Sequence, residues 1–278
     1  MRRLERVRVA LSAAVAVLAV LGAPSAARAQ ACGPGPHWVD VCPTGVDVFP
    51  SAGVMTVDVF GFGTFTLNTI ETVSVWRGNP VDQYIHPFEG PIGLIDGHLD
   101  VIPTELNLTG ASTQLIGGAP VLLNAGDGVS NGVADNSRFS PGAIDQYPAT
   151  LPECPPPVGT VGLNEQACSF FDVFFEISHP AFGTLHNIDP ALAVGVEPLC
   201  SIDVFPRACP SPFAPVRPLT YRKVRGGFLL VDAAGVPRAQ LVAFQHTPFI
   251  PEPATVGLLA TGLVGVAGIG LRRRHRSA

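Results

Sequence analysis

Lysine is almost absent from this chain. Between residues 30 and 250 the single lysine, Lys223, and seven arginines face twenty acidic residues, a net charge of −12, against −5 when the arginine-rich ends are counted. Such a surface repels phosphate backbones and excludes nucleic acid as a partner. No Cys-x-x-Cys pair occurs, which argues against a zinc ribbon or a thioredoxin-like redox centre and leaves the chain with no evident metal or cofactor. Amphipathic helical periodicity is missing outside the two ends of the chain, so a helical bundle is not expected.

The end of the chain is the most informative stretch. Pro251, Glu252 and Pro253 precede the uncharged run Ala254 to Leu271, which is followed by Arg272, Arg273, Arg274, His275 and Arg276. As a helix, at roughly 1.5 Å per residue, residues 254–271 would span about 27 Å, close to the ~30 Å hydrocarbon core of a bilayer. The arginines act as a stop-transfer cluster and set the C-terminus on the cytoplasmic side, with the folded part across the membrane. The two prolines keep the segment ahead of the helix extended and open to a protease.

The order Ile250-Pro251-Glu252-Pro253-Ala254-Thr255, then Leu258-Leu259, a Gly/Leu/Val helix and an arginine cluster, resembles the PEP-CTERM sorting signal of Gram-negative bacteria. The resemblance is confined to residues 250–276. It implies recognition by an exosortase, a membrane-embedded cysteine protease that cleaves near the tripeptide, and it implies display at the cell surface or in an extracellular polysaccharide. No Leu-Pro-x-Thr-Gly sortase motif is present, and a lipid-anchor signal would end apolar rather than in arginines.

The beginning of the chain matches this destination. Arg2, Arg3, Arg6 and Arg8 form a basic region, Val9 to Leu21 an apolar core, and Ala27-Arg28-Ala29 a small-x-small cleavage site, the three parts of a secretory signal peptide over residues 1–29. Export then runs through the secretion translocon and signal peptidase. The organisation expected is a signal peptide (1–29), an exported β domain (30–249) and a sorting signal with its transmembrane helix (250–278), transiently anchored in the inner membrane.

All six cysteines, Cys32, Cys42, Cys154, Cys168, Cys200 and Cys209, lie in the exported part. An even count in an oxidising compartment predicts three disulfides. Spacing alone does not choose among the pairings, although the shortest separations couple 32 with 42, 154 with 168 and 200 with 209.

The exported part reads as all-β. Val54 to Val59 alternates apolar and polar residues, as does Ile70 to Trp76, where Ile70, Thr72, Ser74 and Trp76 oppose Glu71, Val73 and Val75. Shorter candidates recur at 93–95, 98–102, 106–109, 121–123, 170–178 and 183–187, and residues 228–231 pair with 240–245 across 232–238. Many short strands between Gly, Pro and Asn turns indicate an antiparallel sandwich or barrel-like domain stapled by its disulfides. The Gly/Asn-rich stretch 124–142 and the Pro-rich stretch 147–159 read as surface loops, the latter a candidate joint between two halves. Asp-Val-Phe recurs at Asp47, Asp58, Asp172 and Asp203, a weak echo of two related halves.

Candidate chemistry is sparse. Gly128-Val129-Ser130-Asn131-Gly132 has the letters of a nucleophile elbow, without the strand and following helix that make the serine reactive. Asp127, Asn131 and Asp135, with Asn136, offer a weak calcium-loop candidate, but Val129 and Arg138 occupy positions where an EF-hand needs oxygen ligands. His179 and His186 flank a strand turn and could meet, without an identifiable third ligand. Trp38, Trp76 and Tyr84 could stack on sugars or sit in the core. These observations point to a noncatalytic cell-surface or matrix component associated with exopolysaccharide, rather than an enzyme. The alternative is a secreted hydrolase or glycan-binding module acting on that polysaccharide.

Overall fold

The computed structural model describes residues 32–33, 35–126, 140–158, 162–202, 206–209, 218–227 and 229–249. Residues 1–29, the tripeptide, the helix 254–271, the arginine cluster, Ser130 and the calcium candidates Asp127, Asn131 and Asp135 lie outside the described residues. Among the described residues no helix is long and apolar enough to cross a membrane.

Two long strands, β1 (Gly45–Val59) and β2 (Gly63–Arg77), form a hairpin paired from end to end. A small hairpin follows, β3 (Tyr84–His86) and β4 (Gly90–Ile92), then the long β5 (Val101–Ile116). The chain continues through β6 (Ala119–Ala125), β7 (Ser140–Gln146), a 3-10 turn at Leu163–Glu165, β8 (Ala167–Val173), β9 (Phe175–His179), β10 (Gly183–Asn187) and β11 (Ala191–Gly195). A short hairpin, β12 (Leu199–Ile202) and β13 (Pro206–Ala208), precedes β14 (Tyr221–Gly226), β15 (Leu229–Val231) and the final long β16 (Pro237–Pro248).

The pairings resolve into an eight-position antiparallel barrel. β1, β2, β5 and β16 each fill one position along its whole length, and β16 closes the ring by pairing with β1 from Ser51↔Pro248 to Val59↔Ala239. The other four positions are each broken near mid-height into two collinear strands: β6 then β7, β8 then β9, β10 then β11, and β14 then β15. In the upper tier β5, β6, β9, β10, β15 and β16 are neighbours in that order. In the lower tier the order is β5, β7, β8, β11, β14 and β16. Each position follows its neighbour in the chain, so this is an up-and-down barrel, the closed one of the two architectures expected, and closure removes the exposed edges a sandwich would keep.

The alternation read at 54–59 and 70–76 is real. In β1 and β2 the odd-numbered residues from Asp47 to Val59 and from Leu67 to Arg77 are buried inside the barrel while most of their even-numbered neighbours face out. The hairpin near the C-terminus is offset from expectation. β16 begins at Pro237, and Val231 pairs with it, because Asp232 Oδ1 accepts the Ala234 and Val236 amides and tightens the turn to 232–236.

The two ends of the barrel differ. The upper end has short turns, including Gly117-Gly118 between β5 and β6 with φ of 56° and 90°, both in the left-handed region that a two-residue hairpin turn of this hand requires. The lower end carries the long connections. The β3–β4 hairpin and residues 147–154 pack on the outside of β7, β8 and β11, where Ile92, Leu151, Tyr84 and Tyr147 meet Val101, Ala143, Phe170, Leu192 and Val194 in a second apolar cluster. These strands are therefore buried on both faces. The Pro-rich stretch 147–158 joins β7 to β8, which are paired neighbours in one continuous sheet. All three disulfides lie at this end: Cys32 to Cys42, Cys154 to Cys168 and Cys200 to Cys209, the pairs of shortest separation.

Candidate functional site

The barrel interior is packed in the upper tier and hollow below. Val57, Val59, Leu67, Ile177, Leu185, Leu230 and Leu241 fill the upper tier. Beneath them lies a cavity of about 40 Å³, roomy enough for more than one water. Phe49, Met55, Val73, Val75, Leu106, Leu108, Leu123, Ala125, Ile144, Phe171, Val173, Phe175, Ala191, Ala193 and Phe244 make its apolar wall, and Leu199, Ile202 and Pro206 of the β12–β13 hairpin form its floor.

Four polar residues reach this wall: Asp47, Ser169, Tyr221 and His246. Tyr221 and Ser169 share a hydrogen bond of 2.9 Å, and burial pushes the Tyr221 phenol upward. Asp47 is held bidentately by Arg77, with Nε to Oδ2 at 2.5 Å and Nη2 to Oδ1 at 3.2 Å. The same guanidinium donates to the Pro43 carbonyl at 2.7 Å and rests against both sulfurs of the Cys32–Cys42 bridge. Arg77 is 1% exposed, so it closes the lower end as a fully paired ion rather than a free cation.

His246 belongs to a polar seam at mid-height. Its Nδ1 lies 2.5 Å from Glu71 Oε2, the hydroxyl of Thr69 donates to the other oxygen of that carboxylate, and Ser51 Oγ lies 2.9 Å from His246 Nε2. Register makes the seam possible. Ser51 stands opposite Glu71, and Gly53 opposite both Thr69 and His246. A Cβ on Gly53 would come within 2.3 Å of Glu71 Oε1, and one on Gly110 within 2.6 Å of Glu71 Cγ; the two glycines make the slot in which the glutamate lies.

A serine, a histidine and a carboxylate in contact are the residue types of a hydrolase triad. The geometry here is different. Ser51 Oγ is 3.1 Å from Nδ1 as well as 2.9 Å from Nε2, so it sits off the ring edge between the two nitrogens, and its hydroxyl lies 3.0 Å from the Thr247 carbonyl. A nucleophilic serine aims its proton at one imidazole nitrogen. The seam instead satisfies buried polar groups that would otherwise be costly.

Two further clusters lie outside the barrel. Beneath the β3–β4 hairpin, His86 Nδ1 accepts the amides of Phe88 and Glu89 and stands 3.6 Å from Asp172 Oδ2. Burial lowers the His86 pKa, while burial and the Glu89 charge raise that of Asp172. Both shifts disfavour the charged forms, which weakens the contact as an ion pair. Arg225 ties this region down through Glu89 and Glu153. At the lower rim His37, Asp40 and Asp100 place three ligand-type atoms within 4.8 Å of one another, with His98 stacked on His37. These are exposed or half-buried groups.

The sequence-level candidates are only partly gathered. His179 and His186 do not meet. His179 bonds the Ile116 carbonyl inside the barrel, while His186 pairs with Glu176 in register, and alternation puts it on the opposite face from Leu185. Trp38 is buried and donates to the Glu165 carbonyl, whereas Trp76 is 43% exposed on the outer wall. Ser51, Glu71 and His246 were not anticipated as a group. The available signal was that Glu71 shares the inward parity of Val73 and Val75.

Fold and interior together define a disulfide-stapled antiparallel barrel around an apolar chamber. Residues 249–274 match the family model of the PEP-CTERM protein-sorting motif, which marks the chain as an exported, exosortase-processed surface protein of a Gram-negative bacterium. Among curated proteins none matches the chain. The solved structure of DynF from the dynemicin biosynthesis pathway of Micromonospora chersina is similar, with a TM-score of 0.50 and 15% identity over 80% of this chain and 86% of that one; at that identity the likeness is one of fold.

Proposed function

We propose that the protein is a noncatalytic component of the cell surface or extracellular matrix, held in or near an exopolysaccharide after an exosortase removes its tail. The observation that carries this reading is the junction of barrel and sorting motif. β16 ends at Pro248 and the motif begins at residue 249, so the barrel is presented directly at the site of processing with no spacer. On this reading residues 1–29 direct export through the translocon, and the helix 254–271 with Arg272, Arg273, Arg274 and Arg276 holds the chain in the inner membrane until cleavage near Pro251, Glu252 and Pro253. The outer wall supports an adhesive role. Val46 and Trp76 are opposite each other on β1 and β2, and with Val48 and Ile70 they leave an apolar stripe in solvent, the kind of surface that marks an interaction site.

Intact mass of the protein recovered from its native surface or medium, nonreduced and reduced, tests this. The expected product begins near Gln30, ends near Pro251 and gains six hydrogens on reduction. A tail that persists through Ala278 would sink the exosortase step.

The residue types of the seam, Ser51, His246 and Glu71, though not their geometry, are those a second reading, an exported hydrolase, would use. Its apolar surroundings suit a small ester better than a polysaccharide. A fluorophosphonate probe distinguishes the two, since covalent labelling of Ser51 would overturn the noncatalytic reading.

A further inference from the structure

The top of the barrel is filled by leucines and valines, yet from mid-height down the same barrel is walled by Ala125, Ala191 and Ala193 and left hollow. Closed interiors normally pack to crystal-like density, and an unfilled apolar space forfeits dispersion contacts around its whole lining. Here larger side chains at the alanines would fill the space without disturbing the strands. An apolar chamber of this kind stays dry and takes up apolar molecules.

Charge narrows the ligand. Arg77 is consumed by Asp47 and the Pro43 carbonyl, and His246 lies against Glu71. Among the described residues no unpaired cation lines the chamber, so a carboxylate or phosphate would be buried without a partner, at a large cost. A hydroxyl or carbonyl, in contrast, finds donors and acceptors at Tyr221, Ser169 and His246.

We propose that the chamber beneath the seam is a binding site for a small, uncharged, hydrocarbon-rich molecule with one hydrogen-bonding group, such as an aromatic alcohol built on a single benzene ring. The assignment goes beyond surface display and does not depend on it, because it concerns the interior of the barrel wherever the protein resides.

Met55 gives a direct probe. The chain has two methionines, Met1 and Met55, and loss of the signal peptide leaves Met55, which lines the chamber, as the source of a single methyl resonance. The secreted, disulfide-intact protein, labelled with 13C-methyl methionine, is titrated with benzyl alcohol, benzoate and toluene, which share one ring and differ in the polar group. The alcohol is expected to shift the Met55 methyl saturably, and benzoate to bind about tenfold or more weakly, a difference of about 1.4 kcal/mol. Ala193→Phe and Ala125→Leu, each checked for a retained melting transition, should weaken the alcohol at least tenfold. No Met55 shift with any of the three at millimolar concentration would overturn the site, and so would affinity unchanged in a folded filler variant. Benzoate binding as tightly as the alcohol would overturn its uncharged character. The Met55 titration stands even where a filler variant does not fold, and a retained C-terminal tail would bear on surface display alone.

Discussion

The two tiers of the barrel share four continuous strands and stabilise themselves by different means. The upper tier has short turns and an interior filled by Leu67, Leu185, Leu230 and Leu241, so hydrophobic burial suffices. The lower tier carries the chamber, the polar seam and a buried ion pair, and it also carries all three disulfides and an outer apolar layer. An interior that gives up packing needs support from elsewhere. Cross-links that restrict the unfolded chain and a second apolar cluster outside the wall provide it. The void and the staples are thus two aspects of one arrangement.

The largest expected effect breaks the lower tier at Arg77. Arg77→Met leaves Asp47 buried without its cation and should lower stability by about 3–5 kcal/mol, read from denaturant unfolding of the oxidised protein. The double variant Arg77→Met/Asp47→Leu removes both charges and should recover most of the loss. If the single and double variants are equally unstable, the guanidinium acts through its packing on the Cys32–Cys42 bridge rather than through charge compensation.

The next effect contrasts the tiers directly. Leu185 and Val73 are both fully buried, but Leu185 belongs to the filled tier and Val73 faces the chamber. Leu185→Ala should cost about 2–5 kcal/mol, as transfer and new cavity add. Val73→Ala enlarges a space already present and should cost about 1.5 kcal/mol, near the transfer value of the two carbons removed. Equal losses per methyl group would mean that the chamber is as tightly packed as the rest of the core.

How much of this was legible in the chain depends on what each residue faces. β1 and β2 have solvent on one side, so their period-two pattern survives and can be read. β7, β8 and β11 are covered on both sides, and Phe170-Phe171 or Leu192-Ala193-Val194 show no alternation to identify an inward face. Closure was invisible for another reason. It rests on β1 meeting β16, and the seam on partners 195 and 175 residues apart, separations at which no motif spacing operates. The disulfides were the reverse case, since each closes a short loop and proximity in sequence pointed to the partner. The repeated Asp-Val-Phe occupies unlike places among the described residues: Asp47 points into the barrel, Asp58 away from it and Asp172 into the outer layer, three different environments for one triplet.

The smallest effect concerns the outer layer of the lower tier, which has no counterpart above. Asp145 is fully buried there, accepts the Thr150 amide at 2.7 Å and hydroxyl at 2.9 Å, and leaves Oδ1 without a partner. Burial pushes its pKa from 3.8 up to about 6, against the opposing pull of the Thr150 hydrogen bonds. The folded protein therefore holds a proton that the unfolded chain has released between those two values. Its contribution to stability is fully present below about pH 4 and is lost as pH rises through about 6. Between pH 5 and 7 the loss should be about 1 kcal/mol, seen as a higher melting temperature at the lower pH. Asp145→Asn keeps the shape without the titration, so the variant should lose this part of the slope while Asp172, raised in the same direction, retains its own. A variant whose melting temperature tracks the parent at every pH would show that Asp145 is already ionised in the fold, with its charge satisfied by Thr150, and that the outer layer tolerates a carboxylate that the inner chamber does not.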